Sequence, residues 1–191
     1  YDVARLLKAI HPENYFTLEF VWFNAEEFGL FGSYAYMEKH KDDDIIAMIN
    51  MDMVGDPIGI NAMGFDALVP LLEKFSSQLN ALSFTRPMDN KPWLGSDHMP
   101  FILQGIPSIT LYAPIKEESS RFYHDFGDTF DKVDETTLSK SIAIISLLTY
   151  ELANHDDLGL SRLNQEEVIA LLRKAKLEDS MKRSGSWPFA D

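Results

Sequence analysis

The sequence predicts an α/β domain with three layers, a mostly parallel central sheet flanked by helices. Two observations carry that expectation. Apolar runs of strand length alternate with stretches whose hydrophobic residues recur at helical spacing. The carboxylates Glu26, Glu27 and Asp52 end two of those runs, where open parallel sheets collect their functional groups. A chain of 191 residues, 46% of them hydrophobic, can bury one real core. No internal repeat appears, so residues 1–158 read as the body of the domain. Residues 159–191 read as a C-terminal helix and tail that pack on that body or extend from it.

Each element follows from its local pattern. Val3, Leu6, Leu7 and Ile10 have the spacing of an amphipathic helix, and His11-Pro12-Glu13-Asn14 is a loop because proline restricts its predecessor. Tyr15 to Phe23, rich in aromatic and branched residues, reads as a strand. Gly29 to His40 gives a turn and a helix with Ser33 as its expected N-cap, and Lys41 to Asp44 is a solvated charged turn. Ile45 to Met53 is a second strand, with Asp52 near its end. Ile58, Ile60 and Ala62 alternate as a third, and Leu68 to Leu82 is helical. Phe84 to Lys91 is polar, and Pro92 to Phe101 is a loop entering a short helix. Gly105 to Tyr112 is a turn and core strand, and Thr137 to Ala153 and Ser161 to Lys182 are the last two helices.

Charge and composition exclude several classes. Seventeen basic residues against thirty acidic ones leave a net charge of −13. That disfavours nucleic-acid and anionic-membrane partners, which need clustered Lys and Arg. The absence of cysteine removes disulfides, thiolate metal sites and Cys nucleophiles. No apolar run reaches the roughly 20 residues of a membrane span. The chain opens at Tyr1, and the expectation is that a segment preceding it has been removed.

Glu27, Asp52 and His124 are oxygen and imidazole donors from three separate loops, a set that suits Zn²⁺ or a similar divalent ion. Adjacent side chains on extended backbone point oppositely. Glu26 is therefore expected to face away from Glu27 and to serve as general base toward a metal-activated water. His11, His40 and His155 sit in polar or terminal contexts and are given no role.

Four blocks, in order, resemble the M28 family of zinc-dependent exopeptidases, the aminopeptidase and glutamate-carboxypeptidase type. They are Asn24-Ala25-Glu26-Glu27-Phe28-Gly29-Leu30-Phe31-Gly32-Ser33 and Asn50-Met51-Asp52-Met53-Val54-Gly55, then Ser96-Asp97-His98-Met99-Pro100-Phe101 followed by Gly105-Ile106-Pro107. The last is Tyr123-His124 with Asp128 to Asp134 behind it. The resemblance implies Glu26 as base, Glu27 and His124 as ligands of one zinc and Asp52 as a ligand of the other. It also implies a pocket lined by Trp93, Ser96, Asp97 and His98. Trp93 stands where some relatives place an oxyanion-binding tyrosine, so an indole N–H would be the donor there.

The resemblance further implies a histidine and a bridging aspartate in segments upstream of this chain. The expected fold is then a zinc exopeptidase domain lacking its N-terminal portion. Two zinc ions are expected per intact domain, and fewer or none on this segment alone. The expected activity is release of N-terminal residues from peptides or small amides, with export favoured by the habits of relatives and oligomerisation open through the C-terminal helix. A single-zinc glutaminyl-cyclase-like acyltransferase is an alternative, against which the Gly29 to Ser33 turn speaks. A non-catalytic binding domain of the same fold is another, against which the filled ligand positions speak.

Overall fold

Short strands at the centre and longer helices outside place the apolar side chains in one main core. The computed structural model describes residues 1–10, 14–79, 84–86 and 88–190. Helices are α1 (Asp2–Ile10), α2 (Phe31–His40), α3 (Val69–Gln78), α4 (Met99–Leu103), α5 (Glu117–Ser120), α6 (Glu135–Ala153), α7 (Gln165–Lys174) and α8 (Glu178–Ser184). Strands are β1 (Met48–Asn50), β2 (Gly59–Asn61) and β3 (Ser108–Tyr112), ordered β1-β3-β2. β1 runs parallel to β3, with Asn50 opposite Thr110, and β2 runs antiparallel to it, with Asn61 opposite the same Thr110. The expected α/β architecture is present. Its sheet, among the described residues, is small and mixed.

β3 is central because both of its faces are covered: Ile109 and Leu111 are buried on one, and the small polar Ser108 and Thr110 are buried on the other, side chains alternating along a strand. The same core holds Ile60, Leu68, Leu72, Ile102, Ile144 and Leu148. Helix α6 begins where Asp134 accepts the Thr137 N–H at 2.7 Å, a cap whose loss costs about 1 kcal/mol. Helix α1 lies along α6 and buries Val3 and Leu7.

The C-terminal segment joins the same core through Val168, Leu172 and Met181. It is two helices, where one was expected. Lys176 takes φ +60°, and the Leu177 N–H returns to the Leu172 carbonyl at 3.0 Å, which closes α7 as left-handed caps do. Gly105, at φ +74°, makes its approach possible. A Cβ there would stand 2.0 Å from the Leu163 carbonyl oxygen, while the Leu163 N–H donates to the Gly105 carbonyl at 2.9 Å.

The segment from Tyr15 to Phe23 corrects a second expectation. Its exposure alternates as a strand's does, with Phe16, Leu18 and Phe20 half-buried between exposed neighbours. It belongs to no sheet among the described residues. Phe23, at its end, packs edge-on against Tyr36 at 5.5 Å and lies near Phe101 and Met48. Packing places this segment, without a ladder.

Helix α2 starts earlier than expected. Leu30 takes φ +60° and its carbonyl accepts from Tyr34 N–H at 3.0 Å. Ser33 therefore lies inside the first turn, fully buried, donating to the Leu30 carbonyl, and is not the N-cap. The loop expected at residues 11–14 lies outside the described residues over 11–13, as does the end of the helix expected through Leu82. No helix among the described residues is long and apolar enough to cross a membrane.

Candidate functional site

The Glu26-Glu27 pair sits in a tight turn, where an extended strand end was expected. Ala25 takes φ +58°, an uncommon left-handed conformation for a residue with a Cβ. The Glu26 carbonyl then accepts from both the Gly29 and Leu30 N–H groups at 3.0 Å. Gly32 allows the turn to close. A Cβ there would meet the Asn24 carbonyl oxygen at 2.6 Å, the atom to which the Gly32 N–H donates. The turn, and not strand alternation, separates the two acids. Glu26 is half-buried and Glu27 is exposed.

His124 returns from a distant loop to meet Glu27, with Nδ1 2.5 Å from Oε2. It too has a left-handed backbone, φ +58°. Asp52 lies two residues beyond β1, and Met53 after it takes φ +56°. That bend turns the Met53 N–H onto Asp52 Oδ1 at 2.8 Å. Three of the non-glycine residues with positive φ thus stand beside, or are, residues of this cluster. Strain held in such positions gathers at functional sites.

The electrostatics are one-sided. The Glu26 carboxyl is pushed above the usual carboxylate range, first by burial and then by Asp52, Glu27 and Asp97, with His124 alone opposing. Asp97 is also raised, chiefly by burial and also by Asp52, against the Ser33 hydroxyl nearby. Its Oδ1 is buried with no hydrogen-bond partner among the described residues. The Tyr123 phenol is raised by burial and by the same Asp52, Glu26 and Glu27. No Lys or Arg figures among the groups acting on Glu26. Like charges held together without a cation are costly, so this donor set suits a bound cation.

Behind the acids lies a buried polar network. Ser96 donates to Asp52 Oδ2 at 2.6 Å and accepts from Asn50 Nδ2 at 2.9 Å. Asn50 Nδ2 also lies 2.9 Å from His98 Nδ1, and His98 Nε2 lies 2.7 Å from the Trp93 carbonyl oxygen. Ser96 is 1% exposed and His98 0%. Burial holds the His98 pKa down to about 4, against the pull of the Trp93 carbonyl and Asp52. Among the four residues expected to line a pocket, Ser96 and His98 face the interior, and Asp97 and Trp93 are half-buried. The Trp93 ring lies edge-on to His98, 4.3 Å between centroids.

The structure brings Glu27 and His124 into contact and sets Asp52, Asp97 and Tyr123 in the field of Glu26. Among the described residues no three His, Asp or Glu side chains stand close enough to hold one ion. Glu27 and His124 form a ready pair, and Asp52, with two acceptor sites taken, keeps others free. Sequence reasoning assigned no role to Asn50 or Tyr123. Their only signal is closeness in the chain, Asn50 two residues before Asp52 and Tyr123 next to His124. The other histidines have local partners, His40 with Asp43 at 2.7 Å and His155 with Glu151 at 3.5 Å, while His11 lies outside the described residues.

Residues 1–149 match the family model of peptidase family M28. A probable leucine aminopeptidase of Arthroderma otae is 29% identical over 142 residues, covering 72% of this chain and 39% of that protein. A solved peptidase M28 precursor from Shewanella amazonensis superposes with a TM-score of 0.69 at 20% identity, covering 82% of this chain and 36% of that one. A zinc aminopeptidase from Bacillus subtilis superposes with a TM-score of 0.62 at 24% identity, covering 80% and 39%. The two structures share the fold. The chain spans about two-fifths of the length of the curated relatives it matches. With 149 of its 191 residues matched by that family model, the chain belongs to peptidase family M28.

Proposed function

We propose that this chain carries part of the catalytic domain of a zinc-dependent aminopeptidase that releases N-terminal residues from peptides. The observation that carries the reading is the setting of Glu26, half-buried among Asp52, Glu27 and Asp97 with only His124 in opposition. Glu27 and His124 would hold one zinc ion, and Asp52 would serve a second. Bound zinc supplies a Lewis acid for the scissile carbonyl and makes water acidic enough to be deprotonated near neutral pH.

Glu26 is the proton carrier. Its raised pKa makes it a stronger base than an ordinary carboxylate, suited to take a proton from the attacking water and return it to the leaving amine. Tyr123 offers a phenolic O–H in the same field, held protonated by its neighbours, as a donor toward developing oxyanion charge. The choice of an aminopeptidase over a carboxypeptidase is supported by the similarity to leucine aminopeptidases, since bound zinc would offset much of the charge of the acid cluster.

The test is cleavage of a short peptide by the full-length protein with added zinc. Loss of the N-terminal residue, abolished by a chelator and by acetylating the peptide's amino end, is the expected result. Cleavage indifferent to acetylation contradicts the assignment of the exposed amino group, and cleavage indifferent to the chelator contradicts the metal.

A further inference from the structure

The Trp93 carbonyl has no hydrogen to give, so His98 Nε2, 2.7 Å away, must carry one. The ring is neutral and fully buried, so its Nδ1 is then an acceptor, and Asn50 must present its amide nitrogen to it at 2.9 Å. The second hydrogen of that same nitrogen points to Ser96 Oγ at 2.9 Å. Ser96, already accepting, is left to donate its own proton to Asp52 Oδ2 at 2.6 Å. A flipped Asn50 amide would set its oxygen against the His98 Nδ1 acceptor, and Ser96 could donate to that oxygen only by giving up Asp52. Every polarity in the row is therefore fixed from the Trp93 end. Asp52 feels the result on Oδ2, while the Met53 N–H holds Oδ1 at 2.8 Å.

We propose that Asn50 and His98 are positioning residues for Asp52: through Ser96 they fix the rotation of its carboxylate, and so which lone pairs it turns toward a metal ion. The inference rests on the metallopeptidase reading. A carboxylate on a free rotor must be ordered when an ion arrives, whereas this one is ordered beforehand. Loss of such outer partners typically lowers metal affinity about 10–100-fold. The carboxylate's direction also depends on where the loop puts the Trp93 carbonyl, so the backbone of the Trp93 loop is coupled to the metal ligand 41 residues earlier in the chain.

The experiment measures zinc affinity by chelator competition in the full-length protein for wild type, Asn50→Leu, Ser96→Ala and the double variant, with thermal unfolding recorded for each. Asn50→Leu keeps the branched side-chain skeleton and removes both donors. The expected result is a loss of about 10–100-fold in each single variant, with the double no worse than the larger single, since both interrupt one row. A folded Asn50→Leu protein with wild-type zinc affinity overturns the proposal, as do losses that multiply in the double variant. Long-range ¹⁵N–¹H correlation on the wild type reads the His98 tautomer without any substitution. A proton on Nε2 supports the row, and one on Nδ1 overturns it. Wild-type protein that binds no zinc overturns the metallopeptidase reading and this role together, a result distinct from tight binding that the variants leave unchanged.

Discussion

His124 Nδ1 lies 2.5 Å from Glu27 Oε2, a contact made across 97 residues of chain. Both side chains are substantially exposed, and an exposed ion pair contributes about 0–1 kcal/mol to stability. A loop of that length is closed for something other than stability. Replacing either residue by Ala should change the unfolding free energy by less than about 1 kcal/mol while lowering zinc affinity of the full-length protein at least about tenfold. Parallel denaturation and chelator titrations check this. A large stability loss with intact zinc affinity would assign the pair a structural role.

Burial gives the site opposing pH responses. His98 has a folded pKa of about 4 against 6.5 when unfolded. Its contribution is present above pH 6.5 and is lost as pH falls toward 4, about 3 kcal/mol in full. Glu26 and Asp97 are raised on folding. Their contribution has the other sign, present at acid pH and lost as pH rises through their folded values. In metal-free protein, Glu26→Gln should therefore stabilise at pH 7 and give no gain at pH 4, read by urea denaturation. The His98 ring resonances should stay in the neutral position at pH 6. Titration near pH 6.5 would contradict the burial.

Tyr123 is exposed over half its surface yet feels Asp52, Glu26 and Glu27. Tyr123→Phe removes only the hydroxyl. It should leave zinc affinity and stability near wild type and lower kcat by roughly 100- to 1000-fold, the span seen when a single oxyanion donor is lost. A change confined to KM would place the phenol on the ground-state substrate.

The glycine turn that follows Glu26 and Glu27, and the family likeness of the blocks around Asp52 and His124, were legible in the sequence because chemistry and punctuation coincide there. Apolar runs lead to acids, and Gly32 is the residue that lets the turn close on Asn24. What was not legible depends on distant partners. The alternation of Phe16, Leu18 and Phe20 tells which face is buried, not whether another strand lies alongside, so the expected ladder was wrong there. Asn50 acquires its role from Ser96 and His98, 46 and 48 residues away. The left-handed backbones of Ala25, Met53 and His124 have no local signal either, because side chains with a Cβ rarely choose them.

The central claim is that Glu26 moves the proton and does not hold the metal. Glu26→Gln in the full-length protein, assayed for bound zinc and for peptide turnover in the same preparation, tests it most directly. The account predicts zinc content equal to wild type and kcat lowered by about 10²–10⁴-fold, the usual contribution of a positioned general base. Near wild-type turnover, or a loss of activity that only follows a loss of zinc, would contradict it.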